Sequence, residues 1–182
     1  KQLAQRIAGV VDRDSTKYSW ERGDFTRMAS GQQLALHPKM LRASLYRPFF
    51  KQRVAFDRSL NSMIYRLPVL FPAPAASNRG ISIVTQGSKS PFGVTATDTI
   101  PGLHLIGSDA TSYLARWRYE SLSTEATLLE DATEDGWQRV SNINPDAVRR
   151  FQIELGNDLT DDDVFHYVYG ALHSPEFRSR YE

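Results

Sequence analysis

The sequence predicts an α+β fold, with a mixed or antiparallel sheet over about residues 43–106 and a helical part over about residues 144–182 that buttresses it. Short apolar runs bounded by Gly, Pro, Asn and Ser occupy the first range, as strands do. Helical patterns with start and stop signals occupy the second. At 182 residues the chain has the length of one domain with a sizeable core. Because it opens at Lys1 rather than Met, we expect a single domain or a fragment of a larger polypeptide.

The first 40 residues predict an N-terminal helix and a lead-in segment, since residues 2–11 carry apolar side chains at helical spacing. A sheet-rich region follows over residues 41–119. There Val54 and Phe56 alternate with polar neighbours, and residues 81–84 are short and apolar. Residues 103–106 form another strand candidate. Pro68 interrupts the apolar run at residues 64–71, which is typical of an edge strand or a bend.

Residues 120–143 predict an acidic connection, rich in Ser and Thr in its first part, that leads into the helical region 144–182. Asn144 followed by Pro145 predicts the start of a first helix, which Gly156 ends. Thr160 and Asp163 have the spacing of a capping box at the start of a second helix. A third helix is predicted to begin at Ser174-Pro175-Glu176.

The charge of the chain is divided by position. Residues 1–80 hold 14 Lys and Arg against 5 Asp and Glu, whereas residues 81–182 hold 8 against 16. Between Lys39 and Arg66 the cations alternate with aromatic residues, which is typical of a surface that binds a polyanion. The same arginines could instead pair with the acidic half in an internal electrostatic seam. The charge pattern leaves both interpretations open.

The sequence excludes several kinds of chemistry. With no cysteine, it has no disulfide, thiolate zinc site or Cys nucleophile, and we expect a cytoplasmic location. It contains neither a phosphate-binding Gly-x4-Gly-Lys-Ser/Thr loop nor a Gly-x-Ser-x-Gly elbow. His166 and His173 lie seven residues apart without a third ligand, so we expect two partly buried histidines at a helix–helix joint. We therefore predict no catalytic residue, no cofactor and no metal.

Two segments resemble a known family. Residues 45–49 (LYRPF), followed by residues 54–57 (VAFD), resemble the "YRPF … YFD" segment of Type ISP restriction–modification enzymes. Residues 161–181 (DDDVFHYVYGALHSPEFRSRY) are similar to their C-terminal "DIFHYVYGILHSPEYRERY" segment. Asn78-Arg79, loop 85–93 and residues 100–104 also resemble the family's middle section. The resemblance covers most of residues 41–182, and it departs from the family pattern at residues 112–119.

The resemblance implies a role in selecting DNA sites. In that family one polypeptide carries a nuclease, a helicase-like ATPase, an adenine-N6 methyltransferase and a C-terminal target-recognition domain, and this chain resembles the last. Neither the Asp/Asn/Ser-Pro-Pro-aromatic motif of adenine methyltransferases nor a Walker A sequence is present. We therefore expect sequence-specific binding of duplex DNA, mostly through the major groove, without enzymatic activity in this fragment. The expected partners are DNA and the methyltransferase and helicase parts of the same polypeptide, with no membrane.

The candidate DNA-binding residues are basic side chains of the sheet-rich region and of two loops. Four are expected to contact phosphates or guanine edges: Lys51, Arg53, Arg58 and Arg66. Three lie on loops that could reach a groove: Arg79, Lys89 and Ser90. Arg47 is a further candidate, although its place in the matched segment also suits a structural arginine.

Two other functions stay open on the sequence. A structural coupling module would dock the methyltransferase and helicase parts without reading bases itself. A stand-alone metal-dependent hydrolase would be built on His166 and His173. Loop 85–93 is likewise either an exposed turn or a flexible loop that carries Lys89 and Ser90 into a groove.

Overall fold

The computed structural model describes residues 37–61, 63–122 and 136–181, and in these ranges it contains small sheets and several helices. A 3-10 turn at Pro38–Met40 precedes the first strand. The strands are β1 (Leu41–Arg47), β2 (Phe50–Ala55), β3 (Gly80–Val84), β4 (Val94–Thr97), β5 (Ile100–Pro101), β6 (Thr111–Ala115), β7 (Trp117–Ser121) and β8 (Trp137–Ser141). The helices are α1 (Leu67–Leu70), α2 (Pro145–Leu155), α3 (Asp161–His173) and α4 (Pro175–Tyr181). The predicted α+β class is confirmed.

The strands form three sheets. The first has the order β2-β1-β5, and β5 runs parallel to β1 with Ser44 opposite Ile100. In the second, β3 lies between β4 and β6 and is antiparallel to both. The third pairs β7 with β8, with Trp117 opposite Ser141. The first sheet is therefore mixed, and the described strands of the other two pair antiparallel.

The chain divides into two compact units, of which the first comprises residues 1–42 and 54–65. In its described part, the Phe56 amide donates to the Met40 carbonyl at 2.8 Å. The Asp57 carboxylate accepts from the side chain and the backbone N–H of Ser59, and these bonds lower the pKa of Asp57. Arg58 lies exposed in the turn that this carboxylate organises.

The second unit, residues 43–53 and 66–182, has its most buried side chains around β3. Ile81 of β3 and Leu105 are almost completely buried, and Ile100 is nearly so. A smaller cluster surrounds Tyr119, which packs with two alanines and Trp137. Helix α3 contributes its buried residues Val164 and Phe165.

The predicted helix boundaries are confirmed. Asn144 accepts a hydrogen bond from the Asp146 amide at 2.8 Å, and Gly156 ends α2 with a φ of 134°. Thr160 and Asp163 form the predicted capping box, in which the hydroxyl and carboxylate satisfy free amides of the first turn. Helix α4 begins at Pro175.

Of the edge strand or bend predicted at residues 64–71, the edge strand does not form, and the strand predicted at residues 103–106 was wrong. Within residues 64–71 the chain forms one helical turn, α1, with Pro68 in the first turn, where proline is favoured because its N–H is not needed. Residues 103–106 are turns and bends, and the pairing with β1 stops at Pro101. Strands also continue beyond residue 106, as far as β8. The helix predicted at residues 2–11 and most of the acidic connection lie outside the described residues. No helix in the described ranges has the length and apolarity needed to cross a bilayer.

Candidate nucleic-acid interface

The β1–β2 hairpin is anchored from one side. Leu45 is buried, and its carbonyl accepts from the Gly102 amide at 2.8 Å. A Cβ on Gly102 would lie only 2.9 Å from the Tyr46 carbonyl oxygen, so glycine allows this close approach. The Arg47 guanidinium donates to the His104 carbonyl and, at 2.9 Å, to the Gly107 carbonyl. Arg47 thus holds the chain that follows β5, as a structural arginine does.

The outer part of the hairpin is exposed and basic. Lys51, Gln52 and Arg53 are all exposed on β2. Lys51 Nζ lies 3.3 Å from Asp98 Oδ1, but because both side chains are more than half exposed this pair contributes little stability. Among the described residues, Arg53 has no hydrogen bond or ion pair. Both cations therefore remain accessible to an anionic partner.

The same hairpin also carries exposed aromatic side chains. Tyr46 and Phe50 meet edge to face with ring centroids 6.3 Å apart, and both are about half exposed. Phe49 lies in the two-residue turn between β1 and β2 and is fully exposed. Its φ of 66° places it in the left-handed region, which a side chain as bulky as phenylalanine rarely occupies. The hairpin therefore combines exposed rings with exposed cations.

Arg79, by contrast, forms contacts with other residues of the fold. Its guanidinium donates to Asp162 Oδ2 at 2.8 Å and lies 5.8 Å from the centre of the Phe165 ring. Asp162 belongs to the first turn of α3 in the acidic half. This contact is an instance of the electrostatic seam that the charge pattern left open.

Arg116, which the sequence did not single out, shares the Asp162 carboxylate. Its Nε lies 2.7 Å from Asp162 Oδ1, and its Nη1 donates to Ser141 Oγ at 2.9 Å. Asp161 Oδ2 lies 3.7 Å from Nη2 and accepts from the Ser141 hydroxyl. Burial raises the pKa of Asp162, but hydrogen bonds and charge from the two arginines outweigh this, so the net pKa is lowered.

A sequence signal for this network did exist. The capping box uses only Asp163. The two neighbouring carboxylates, Asp161 and Asp162, therefore indicated that a cation from elsewhere in the chain could pair with them. Nothing in the local sequence identified Arg116 as their partner, because it lies 45 residues earlier in a stretch without clear periodicity.

Loop 85–93 is fixed rather than free. The Ser88 hydroxyl and the Lys89 amide both donate to Asp109 Oδ2, at 2.9 and 2.6 Å. These bonds lower the pKa of Asp109, that of Lys89 having the larger effect. Ser90 Oγ lies 3.2 Å from Ser108 Oγ and accepts from its amide. Ser90 therefore ties two loops together, whereas the exposed Lys89 ammonium makes no hydrogen bond or ion pair within the described ranges.

An open cleft of about 470 Å³ lies within the second unit. It is lined by residues that include Lys51, Arg79, Asp98, Phe165, His166 and Tyr169. His166 and His173 are both exposed, so the prediction of two partly buried histidines was wrong. The centre of the His173 ring lies 4.6 Å from that of Tyr169. Within the described ranges, no three His, Cys, Asp or Glu side chains come together as a metal site would require.

The structure thus brings only some of the candidate residues together. Arg47, Lys51 and Arg53 share the hairpin, and Arg79 lines the same cleft as Lys51. Lys89 and Ser90 lie on the tied loop. Arg66 is exposed at the start of α1, and Arg58 belongs to the other unit.

One known protein family matches almost the whole chain. The family described as the Type ISP C-terminal specificity domain matches residues 2–182. Among solved structures, a cryoEM structure of a DrdV–DNA complex is similar, with 29% identity and a TM-score of 0.76, and the match covers 98% of this chain and 16% of that one. A nuclease-deletion mutant of the Type ISP enzyme LlaGI, in complex with a DNA substrate mimic, is also 29% identical. Its TM-score is 0.68, and the match covers 98% of this chain and 14% of that one.

The ATP-dependent Type ISP enzyme LlaBIII bound to DNA has the same fold, with a TM-score of 0.77 at 21% identity. Here the match covers 98% of this chain and 11% of that one. The chain therefore spans about a sixth or less of each of these structures. A search of curated proteins gave no match.

Proposed function

Because the chain belongs to the family of Type ISP C-terminal specificity domains, we propose that it recognises duplex DNA as the specificity module of a restriction–modification enzyme. The family is a specificity domain rather than a catalytic one, which agrees with the prediction that this fragment has no enzymatic activity of its own. Nuclease, helicase and adenine-N6 methyltransferase activities then belong to other parts of the parent polypeptide. Those parts and DNA are its partners.

The observation that carries this proposal is the exposed basic hairpin on a fixed base. Lys51 and Arg53 project from β2, where no strong internal partner neutralises them. Arginine offers a planar fork that suits guanine edges and phosphates, and lysine supplies a point charge. DrdV and LlaGI, each 29% identical to this chain, are bound to DNA or a DNA mimic in their structures. Their complexes support a DNA-binding role for this chain too.

The contacts of the candidate residues suggest different roles in DNA binding. Lys51, Arg53 and Lys89 are free to contact phosphates or bases directly, and Arg58 and Arg66 are exposed cations that could add to this. Arg47, Arg79 and Ser90 hold neighbouring chain segments in place, so they position the interface instead. Specificity would then come from a few side chains on a rigid support.

Mapping of methylated sites tests the proposal. The full-length protein is compared with a chimaera in which this region is replaced by the corresponding region of another family member. We expect the chimaera to methylate a different DNA sequence, because site choice would follow the exchanged region. A chimaera that methylates efficiently at the original sequence would contradict the proposal.

A coupling module remains the second candidate, and the exposed apolar residues of the helices favour it. Ile153 and Leu155 on α2, Tyr167 on α3 and Tyr181 on α4 are each more than half exposed. The double variant Lys51→Ala/Arg53→Ala separates the two functions. Loss of DNA binding while the domains of the full-length protein stay docked favours recognition, whereas undocking of the methyltransferase and helicase parts favours coupling.

A further inference from the structure

Building on the DNA recognition proposed above, on which this inference rests, we propose that Phe49 inserts between base pairs of the bound duplex. The hairpin carries the phenyl ring at its tip, and an apolar wedge of this kind unstacks a base step locally. Phe49 would therefore act by stacking rather than by hydrogen bonding.

The first support is the exposure of Phe49. The side chain is as accessible as in an extended peptide, at 103% relative exposure, although it belongs to a short ordered turn. Burying a phenyl ring gains about 1.5–3 kcal/mol, so a ring left outside while its strands pack represents unused binding energy. Its neighbours Tyr46 and Phe50, in contrast, contact each other.

Backbone strain at the same residue is the second support. Pro48 and Phe49 form a two-residue turn, and Phe49 has a φ of 66°. Gly or Asn adopts this conformation easily, whereas a larger L-residue is disfavoured by the clash of its Cβ with the backbone. Strained residues of this kind cluster at binding sites. At the tip, this strained residue carries a fully exposed ring that also borders the cleft of about 470 Å³.

The anchoring of the hairpin and its positive charge indicate which partner the Phe49 ring binds. Arg47, with its bonds to the carbonyls of His104 and Gly107, makes the hairpin a stiff support, so little conformational entropy is lost on insertion. Lys51 and Arg53 follow the tip on β2 and would contact phosphates beside the unstacked step. A protein pocket for a phenyl ring would not require these cations, so duplex DNA fits the tip better.

Duplexes that contain 2-aminopurine test this proposal on the full-length protein. The probe base is placed at successive positions of the mapped target, except at the modified adenine, since the methyltransferase itself extrudes that base. We expect the unmodified protein to raise the fluorescence at one step. Phe49→Ala should abolish this rise and weaken binding roughly tenfold to a hundredfold, as loss of base–aromatic stacking does. Phe49→Trp should restore the signal.

Controls separate this inference from the proposed function. Leu114→Ala removes a half-exposed apolar side chain from β6 and should change neither the fluorescence rise nor the affinity for DNA. Phe49→Ala should leave the salt dependence of binding unchanged, because it removes no charge. If the fluorescence rise survives in Phe49→Ala, insertion is wrong even though DNA recognition stands. Undocking of the methyltransferase domain in the full-length Phe49→Ala variant would instead assign Phe49 to a contact between domains. Absence of DNA binding by the unmodified protein would overturn both proposals.

Discussion

At the scale of single residues, the Arg116 guanidinium is almost completely buried and yet fully compensated. Only 2% of the residue is exposed, but Asp162, Asp161 and Ser141 surround its nitrogen atoms. The Trp117 ring lies 3.8 Å from the guanidinium carbon and covers its face. A buried charge without such partners would destabilise the fold by several kcal/mol. Arg116 therefore fixes the start of α3 next to β8.

Replacement of this arginine should destabilise the protein strongly. Arg116→Met keeps an unbranched side chain but leaves Asp161 without a cation and Asp162 with Arg79 alone. Loss of one partner of a buried pair costs about 3–5 kcal/mol. Because Asp161 and Asp162 are partly exposed, water can hydrate them again in the variant. We therefore expect the free energy of unfolding, measured with urea, to fall by about 3 kcal/mol. Arg118→Met is the matched control. Its half-exposed pair with Glu120 should contribute less than about 1 kcal/mol. Equal losses in the two variants would contradict the role assigned to Arg116.

The same network should make the free energy of unfolding depend on pH. The pKa of Asp162 is lowered in the folded protein, whereas an unfolded Asp titrates near 3.9. The folded state therefore gains stability from this carboxylate above about pH 4, and the gain is lost as the pH falls through the folded pKa. Asp162→Asn should be less stable at pH 7, and its difference from the unmodified chain should shrink towards pH 3.

Urea midpoints measured between pH 7 and pH 3 check this expectation. Asp158→Asn, which removes a carboxylate from the exposed connection between α2 and α3, serves as the control. A difference for Asp162→Asn that stays constant over the whole range would show that the carboxylate contributes by packing rather than by charge.

At the scale of elements, the capping box of α3 makes a measurable contribution to the free energy of unfolding. The Thr160 hydroxyl accepts from the Asp163 amide at 3.3 Å, and the Asp163 carboxylate accepts from the Thr160 amide at 2.8 Å. Thr160→Ala should lower the free energy of unfolding by about 1 kcal/mol, because a first-turn amide loses its partner. Thr160→Ser keeps the hydroxyl and should lose much less. Urea unfolding of both variants tests this, and a similar loss in each would exclude the hydroxyl as the cause.

The elements also show what a sequence can predict. Helix ends were predicted correctly because caps are local: Asn144, Gly156 and Thr160 each act within a few residues of their own position. Strand β5 was missed because it consists of two residues whose partners, Ser44 and Leu45, lie far away in sequence. A strand is defined by such a neighbour, and residues 103–106 have a suitable composition but do not pair.

The candidate interface divides in the same way. The concentration of cations around residues 39–66 was visible in the sequence, and Lys51 and Arg53 are indeed exposed. The ion pair between Arg79 and Asp162 was not predictable, because the two residues lie 83 positions apart in the sequence. Phe49 occurs in the family-like segment as one aromatic residue among several. Its distinction, a left-handed backbone with a fully exposed ring, appears only in three dimensions.

At the scale of the whole molecule, the division of charge along the sequence is only partly cancelled by folding. Arg79–Asp162 and Lys51–Asp98 join the basic and acidic halves. Arg53 and Arg66, which also belong to the basic half, have no acidic partner in the described part of the chain. Such an uncompensated surface attracts DNA over a distance that shrinks as salt rises.

The salt dependence of DNA binding should therefore report how many of these cations are used. If about four to six basic side chains contact phosphates, the slope of log K against log salt is roughly −4 to −5. In the full-length protein, Lys51→Gln/Arg53→Gln should make this slope shallower by about 2, since each lost phosphate contact removes nearly one released counterion. Arg149→Gln/Arg150→Gln removes the same charge from exposed positions on α2 and is the matched control. Because general attraction follows net charge and direct contact follows position, an equal change of slope in both variants would mean that the hairpin does not contact the phosphates.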